Sequence, residues 1–247
     1  MIDVITPIYN VDLKIFKQNI FQWFNKLPIN NLIIGIGKEN KELENILSNY
    51  RKVKIIYQYN YKTLGYCLQE LIKKVNTPYF IYFHSDVSIN EYWFNSMWNN
   101  KVKGIIESLK DNSFDIQPKR FRSYSGAQLI YTDCLKDLNW QDDYIYTSED
   151  LLIQNHIISN GFNYIKLPIY HTHFTTNNIR TKNRKTILNW QYKALIKYGI
   201  PEKHLLSYLL KTVKAIKKEF GYKIKIKKEI NRLNPDSNWL TFYNENK

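Results

Sequence analysis

Three groups of residues in this chain have the types and spacing to act on a charged substrate. Asp86 follows the run Tyr79-Phe80-Ile81-Tyr82-Phe83, which stops abruptly at His84-Ser85-Asp86. An ionised carboxylate beside five large apolar side chains is costly unless hydrogen bonds or a cation satisfy it. A hard oxygen ligand for Mg²⁺ or Mn²⁺ on substrate phosphates meets that need, as does a cap on the next turn or helix. Glu149 and Asp150 open an apolar stretch, where a helix macrodipole would favour their ionised forms. Such a pair is either a general base with its neighbour or the plain acid preference of a first turn. His171-Thr172-His173 follow the strand-like Ile165–Tyr170, and an extended chain places both imidazoles on one side. They read as metal ligands or as loop histidines held by neighbours.

The elements that must position these groups follow from periodicity. Ile2–Ile8 reads as a buried strand, Leu13–Leu27 as a helix closed by Pro28, Leu32–Ile36 as a strand and Lys41–Tyr50 as a short helix. Val53–Tyr57 is a third strand, Gly65–Val75 a helix closed by Pro78, and Tyr79–Phe83 a fourth strand. Strands that alternate with helices and are apolar on both faces predict an α/β fold with a mostly parallel sheet flanked by helices. Further on, the spacing predicts a helix over Trp93–Leu109, a strand over Ala127–Tyr131, a helix over Ser148–Ser159 and a short strand over Tyr164–Leu167. In a parallel sheet the ligand crevice lies outside the carboxyl ends of the strands. The residues to inspect are therefore Pro7-Ile8-Tyr9-Asn10, Gly37-Lys38-Glu39 and His84-Ser85-Asp86.

The order of these motifs resembles the family-2-like glycosyltransferases of the GT-A fold, which take a sugar from a nucleotide diphosphate. Pro7-Ile8-Tyr9-Asn10 matches the end of that family's opening strand. Asn60 through Leu64-Gly65, the helix, and the aromatic strand ending in His84-Ser85-Asp86 match the segment leading to its D-x-D element. Ser148-Glu149-Asp150, ending at Asn160-Gly161, matches its acidic pair and helix. The resemblance covers roughly residues 1–173. It implies donor contacts at Pro7, Tyr9, Asn10, Glu39, Leu64, Gly65, His84, Ser85 and Asp86. It also implies a divalent cation (Mn²⁺ or Mg²⁺) on Asp86 with His173 and His84 as helpers, Asp150 beside Glu149 as general base, and inversion at the sugar carbon. The departures are specific: His84 stands where the family has the first acid, Glu39 is the one acid after strand two, and Leu68-Gln69 replace the usual Arg and Asn.

Composition bounds the rest. The chain has 247 residues, 44% hydrophobic and 23% charged, enough for one packed domain and a tail. The expected division is a GT-A-like catalytic domain over 1–184 and a helical, lysine-rich extension over 185–247. No run reaches the roughly 18 apolar residues of a membrane span, and no basic-then-apolar leader opens the sequence. Cys67 and Cys134 stand far apart, which argues for buried thiols and a reducing, cytoplasmic setting. Half of the net charge of +14 lies in residues 211–232, where nine Lys and Arg face Glu219 and Glu229. With the apolar stripe Leu206, Leu209, Val213, Ile216 and Phe220, this segment reads as a helix for an anionic membrane surface or one docked on the domain. The expected partners are a nucleotide-sugar donor and a saccharide, lipid-linked or protein acceptor. Trp93, Trp98, Tyr124, Trp140 and Tyr144 are groove or core aromatics, and Lys119, Arg120 and Arg122 are an anion contact or a solvated loop. The competing functions are a non-catalytic sugar-nucleotide-binding or nucleotidyltransferase-like domain and a nucleic-acid-binding protein. The last is disfavoured because the cations are mostly Lys and no nucleic-acid motif appears.

Overall fold

The computed structural model describes residues 1–8, 26–59, 63–110, 126–140 and 149–173, with Leu13, Lys14, Phe16, Lys17 and Phe24. The strands are β1 (Ile2–Ile8), β2 (Ile29–Ile36), β3 (Val53–Tyr57), β4 (Tyr79–Phe83), β5 (Val87–Ser88), β6 (Gly104–Lys110), β7 (Ala127–Tyr131) and β8 (Asn163–His173). The helices are α1 (Lys41–Ser48), α2 (Leu64–Ile72), α3 (Glu91–Asn99) and α4 (Glu149–Ser159), with a 3₁₀ turn at Thr132–Leu135. They form one sheet in the order β3-β2-β1-β4-β7-β6-β8-β5. β1 to β4 pair in parallel, β7 runs antiparallel to both β4 and β6, and β6 is parallel to β8. The expected α/β class with a mostly parallel sheet is the one found.

Alternation along the strands sends side chains to two cores. Val4, Ile34, Ile81 and Leu129 meet Leu43 and Leu47 of α1, Trp93 and Met97 of α3, and Phe16 and Phe24. Ile5, Phe80, Tyr82 and Ile130 meet Leu68 and Leu71 of α2 and Leu152, Ile153 and Ile157 of α4. Each fully buried aliphatic or aromatic side chain contributes on the order of 1.5–3 kcal/mol. Side-chain caps start the helices: Asn40 accepts from Leu43 N at 3.0 Å, Thr63 from Tyr66 N at 3.2 Å and Asn90 from Trp93 N at 2.8 Å.

One expected element is wrong. The helix predicted over Trp93–Leu109 ends at Asn99, and Gly104–Lys110 is the strand β6. Gly104 has φ +156°, and a Cβ there would strike the backbone of Asn163 in the adjacent strand. Asn163 N donates to Lys103 O at 3.0 Å, so the close approach that glycine permits is what starts the β6–β8 pairing. The short strand expected at Tyr164–Leu167 extends over Asn163–His173. The helix expected at Leu13–Leu27 falls largely, and the boundary near residue 184 with the extension beyond it entirely, outside the described residues. No helix among the described residues is long and apolar enough to cross a membrane.

Candidate functional site

The apolar strand β4 delivers His84, Ser85 and Asp86 to its carboxyl end, all three half-buried. The turn is pinned by His84 N donating to Gly126 O at 2.8 Å and Val87 N donating to His84 O at 3.1 Å. β5 then pairs with β8 so that Val87 faces His173. The backbone of His173 is thereby brought beside the Asp86 turn, across a long loop in sequence.

α4 brings the acidic pair to the same place. Glu149 and Asp150 are each 4% exposed. Glu149 Oε1 lies 3.1 Å from His84 Nε2 and accepts the Tyr82 hydroxyl at 2.8 Å. Burial alone would lower the His84 pKa, but the Glu149 contact, with the charges of Asp86 and Asp150, raises it. Burial alone would raise the Glu149 pKa, and the His84 contact holds it well below the usual carboxylate range. The contact thus favours the charged form of both partners, and Asp86 and Asp150 are near enough to act on the imidazole in the same sense. Glu149 is committed to holding strand β4 against α4, whereas Asp150 is the acid next to it.

The remaining expected residues divide. Pro7 lies on β1, half-buried opposite Gly35. Leu64 and Gly65 open α2 behind the Thr63 cap, with Gly65 buried. Glu39 is in the loop after β2, its side chain 66% exposed and 3.8 Å from Lys41. Tyr9 and Asn10, like Lys119, Arg120, Arg122, Tyr124 and Tyr144, lie outside the described residues, as does the side chain of His173. Trp93 and Trp140 are core residues, 0% and 3% exposed, and Trp98 stacks on Phe94. These three pack the fold and do not line a groove. His171 is 2% exposed, with Nδ1 at 2.7 Å from Ser108 Oγ.

The donor set limits what cation the site would take. Among the described residues no group of three or more His, Cys, Asp or Glu is placed to hold a metal ion. His84 turns Nε2 to Glu149, which removes that nitrogen from a ligand set. What is left fits a hard cation that draws most of its oxygens from a diphosphate and water, with Asp86 as the protein carboxylate.

Tyr82, Glu107, Gln128 and Tyr164 were not anticipated as part of this region. Gln128 Nε2 donates to Glu107 Oε1 at 2.8 Å and the Tyr164 hydroxyl donates to Glu107 Oε2 at 2.9 Å. Tyr82 hid inside an apolar run, and Glu107 inside the segment expected to be helical. A lone acid after Ile105-Ile106, once that segment is a strand, is the signal that would have found it.

No family model and no characterised protein sequence matches the chain. Solved structures do. The S. aureus TarS fragment 1–349 superposes with a TM-score of 0.63 at 14% identity, over 92% of this chain and 76% of that one. The chain shares its fold. The same fragment in complex with UDP-GlcNAc gives 0.59 at 14% identity, over 92% and 77%. The longer S. aureus TarS structure gives 0.60 at 15% identity, over 92% of this chain and 46% of that one, so the chain spans less than half of the longer neighbour. The fold is thus one on which a nucleotide sugar is bound in TarS.

Proposed function

We propose that the protein is a glycosyltransferase that moves a sugar from a nucleotide diphosphate to an acceptor hydroxyl, with inversion at the sugar carbon. The observation that carries the reading is the convergence of the β4 turn bearing Asp86 with the α4 start bearing Asp150, on a fold shared with a UDP-GlcNAc-bound protein. Asp150 takes the proton of the acceptor hydroxyl as its oxygen bonds to the anomeric carbon, and the bond from that carbon to the diphosphate breaks. Asp86, with His173, would hold a divalent cation, which would supply neutralisation of the leaving diphosphate. Pro7, Tyr9, Asn10, Glu39, Leu64 and Gly65 border the donor. His84 and Glu149 hold the two sides of the site together.

The test is a thermal-shift screen of UDP, GDP, CMP, dTDP and their sugars, with and without Mn²⁺ or Mg²⁺. A ligand at 100 times its dissociation constant adds about 2.7 kcal/mol to the folded state. Metal-dependent stabilisation by one nucleotide sugar, lost in Asp86→Ala, is expected, followed by nucleotide release on incubation. A second reading, sugar-nucleotide binding without turnover, draws on His84 occupying the place of an acid and being tied to Glu149. Stabilisation with no nucleotide release, with any acceptor, would favour it. No stabilisation by any ligand would sink both.

A further inference from the structure

β8 does not run evenly beside β6. From Gly104 to Glu107 each residue of β6 faces the next residue of β8, from Asn163 to Lys166. The pairing then breaks and resumes with Leu109 facing Tyr170 and Lys110 facing His171, so β8 spends more residues than β6 on the interval. The excess lies in Leu167-Pro168-Ile169, where Pro168 has no N–H to give to a ladder. Past such a break the register has to be set again. β8 pairs there on its other edge with β5, where His173 faces Val87 and Thr172 faces Ser88. Val87 follows Asp86 directly, so this second register decides how far the His173 backbone stands from the Asp86 turn. A slip of two residues would move it by about 6.6 Å.

Two features of different kinds fix the register. Alternation excludes a slip of one: Ile169 and His171 are 8% and 2% exposed and Tyr170 between them is 56% exposed, so an odd slip would bury Tyr170 and expose the other two. Alternation does not exclude a slip of two, which keeps every side chain on its face. Ser108 does. It stands at the break, 1% exposed, and its hydroxyl lies 2.7 Å from His171 Nδ1. A slip one way sets Ile169 against the hydroxyl and leaves it unpaired. A slip the other way carries the His171 imidazole into the apolar place that Ile169 fills. A buried polar group stripped of its partner costs more than the bond itself is worth, so each slip is penalised by a contact that the apolar pattern does not supply.

Resting on the reading of Asp86 and His173 as holders of the cation, we propose that Ser108 and His171 are positioning residues whose buried hydrogen bond sets the register of β8 past its break, and so brings His173 to the Asp86 turn. Neither touches donor or cation in this role.

The experiment compares the full chain with Ser108→Ala and His171→Asn by two readouts. The first is amide hydrogen exchange, which needs no ligand. Ser108→Ala deletes the bond, so exchange rises about tenfold over residues 169–173 and at Val87 and Ser88, while residues 163–166, β1 and β2 are unchanged. The second is the Mn²⁺ concentration that half-completes the thermal shift with the sugar nucleotide chosen by the screen above. It rises about tenfold in Ser108→Ala, in the range for losing a group that orients a metal ligand, while donor affinity at saturating Mn²⁺ stays within about twofold. His171→Asn sets an amide where Nδ1 stood and removes the rest of the ring, so it keeps the bond to Ser108 and stays closer to the parent than Ser108→Ala in both readouts. Unchanged exchange in Ser108→Ala, exchange raised equally in β1 and β2, or changed exchange with an unchanged Mn²⁺ requirement overturns the proposal. So does a Mn²⁺ requirement raised more in His171→Asn than in Ser108→Ala, which would place the imidazole on the cation itself. If the parent protein shows no Mn²⁺-dependent shift, the cation reading has failed, and exchange alone decides whether Ser108 and His171 hold the register.

Discussion

The two halves of the sheet are held by different forces. From β1 to β4, residues 2–83, parallel strands apolar on both faces pack between helices whose starts are capped by neighbouring side chains. The buried carboxylate among the described residues there is Asp3, and its partners are neutral. Its oxygens accept Asn30 Nδ2 at 2.9 Å, Asn31 Nδ2 at 2.8 Å and the Asn76 backbone N–H at 2.8 Å, at the amino end of β1, away from the crevice. From β5 to β8, residues 87–173, Glu107, Glu149, Asp150 and His171 are all buried. Glu149 meets His84 at the seam between the halves, Glu107 takes bonds from Gln128 and Tyr164, and His171 meets Ser108. A buried carboxylate satisfied by amides is a staple. Glu149, Asp86 and Asp150 act on one imidazole at a strand end, where charge can be rearranged, and such concentrations are candidates for functional sites.

The comparison makes predictions that can break it. The largest effect is expected at Asp150→Asn, which removes the proposed base without changing shape: turnover falls by about a thousandfold, within the range for a lost acid–base group, while calorimetry shows donor affinity nearly intact. Equal losses of turnover and affinity would show that Asp150 binds donor. Next comes His84→Ala, which leaves Glu149 buried without its cation and should cost about 3 kcal/mol in urea unfolding. A double-mutant cycle with Glu149→Gln should show that most of this cost is shared between the two positions. Asp3→Asn, in the other half, should cost about 2 kcal/mol by leaving buried amides poorly paired, with no change in donor affinity or turnover. A large catalytic loss there would erase the distinction between the halves.

The smallest effect is a slope. Burial pushes the Glu107 carboxyl above its usual value of 4.5, against the lowering effect of Tyr164, Gln128 and Lys166. The folded state therefore keeps this proton longer than the unfolded chain. The stability it confers is full below the unfolded value and is lost as pH rises through the raised folded value. Unfolding free energies measured from acid to neutral pH should show this decline in the parent protein and a shallower one in Glu107→Gln. Parallel profiles would mean that Glu107 titrates as an ordinary exposed glutamate.

The first half was legible because a single force dominates it. Ile2–Ile8, Val53–Tyr57 and Tyr79–Phe83 have the same limits in the structure as in the sequence pattern, since short apolar runs between turn residues have few other ways to be buried. The second half was not, because Gly104 acts through Asn163, a residue 59 positions away, to begin a strand where the local pattern continues a helix. The candidate site divides in the same way. Asp86, Glu149 and Asp150 stand at element boundaries, where position along the chain already hints at chemistry. Tyr82 and Glu107 sit inside strands, and their partners come from other strands.

By itself, then, the sequence determined an α/β sheet with a carboxylate after its fourth strand and an acidic pair opening a late helix, because periodicity and caps act within a few residues. Only the tertiary structure decided that β7 runs against its neighbours, that His84 turns to Glu149, and that Gln128 and Tyr164 close on Glu107 from two other strands. Those outcomes depend on which distant groups share a low-dielectric space, and a hydrogen bond between residues dozens of positions apart leaves no period in the chain.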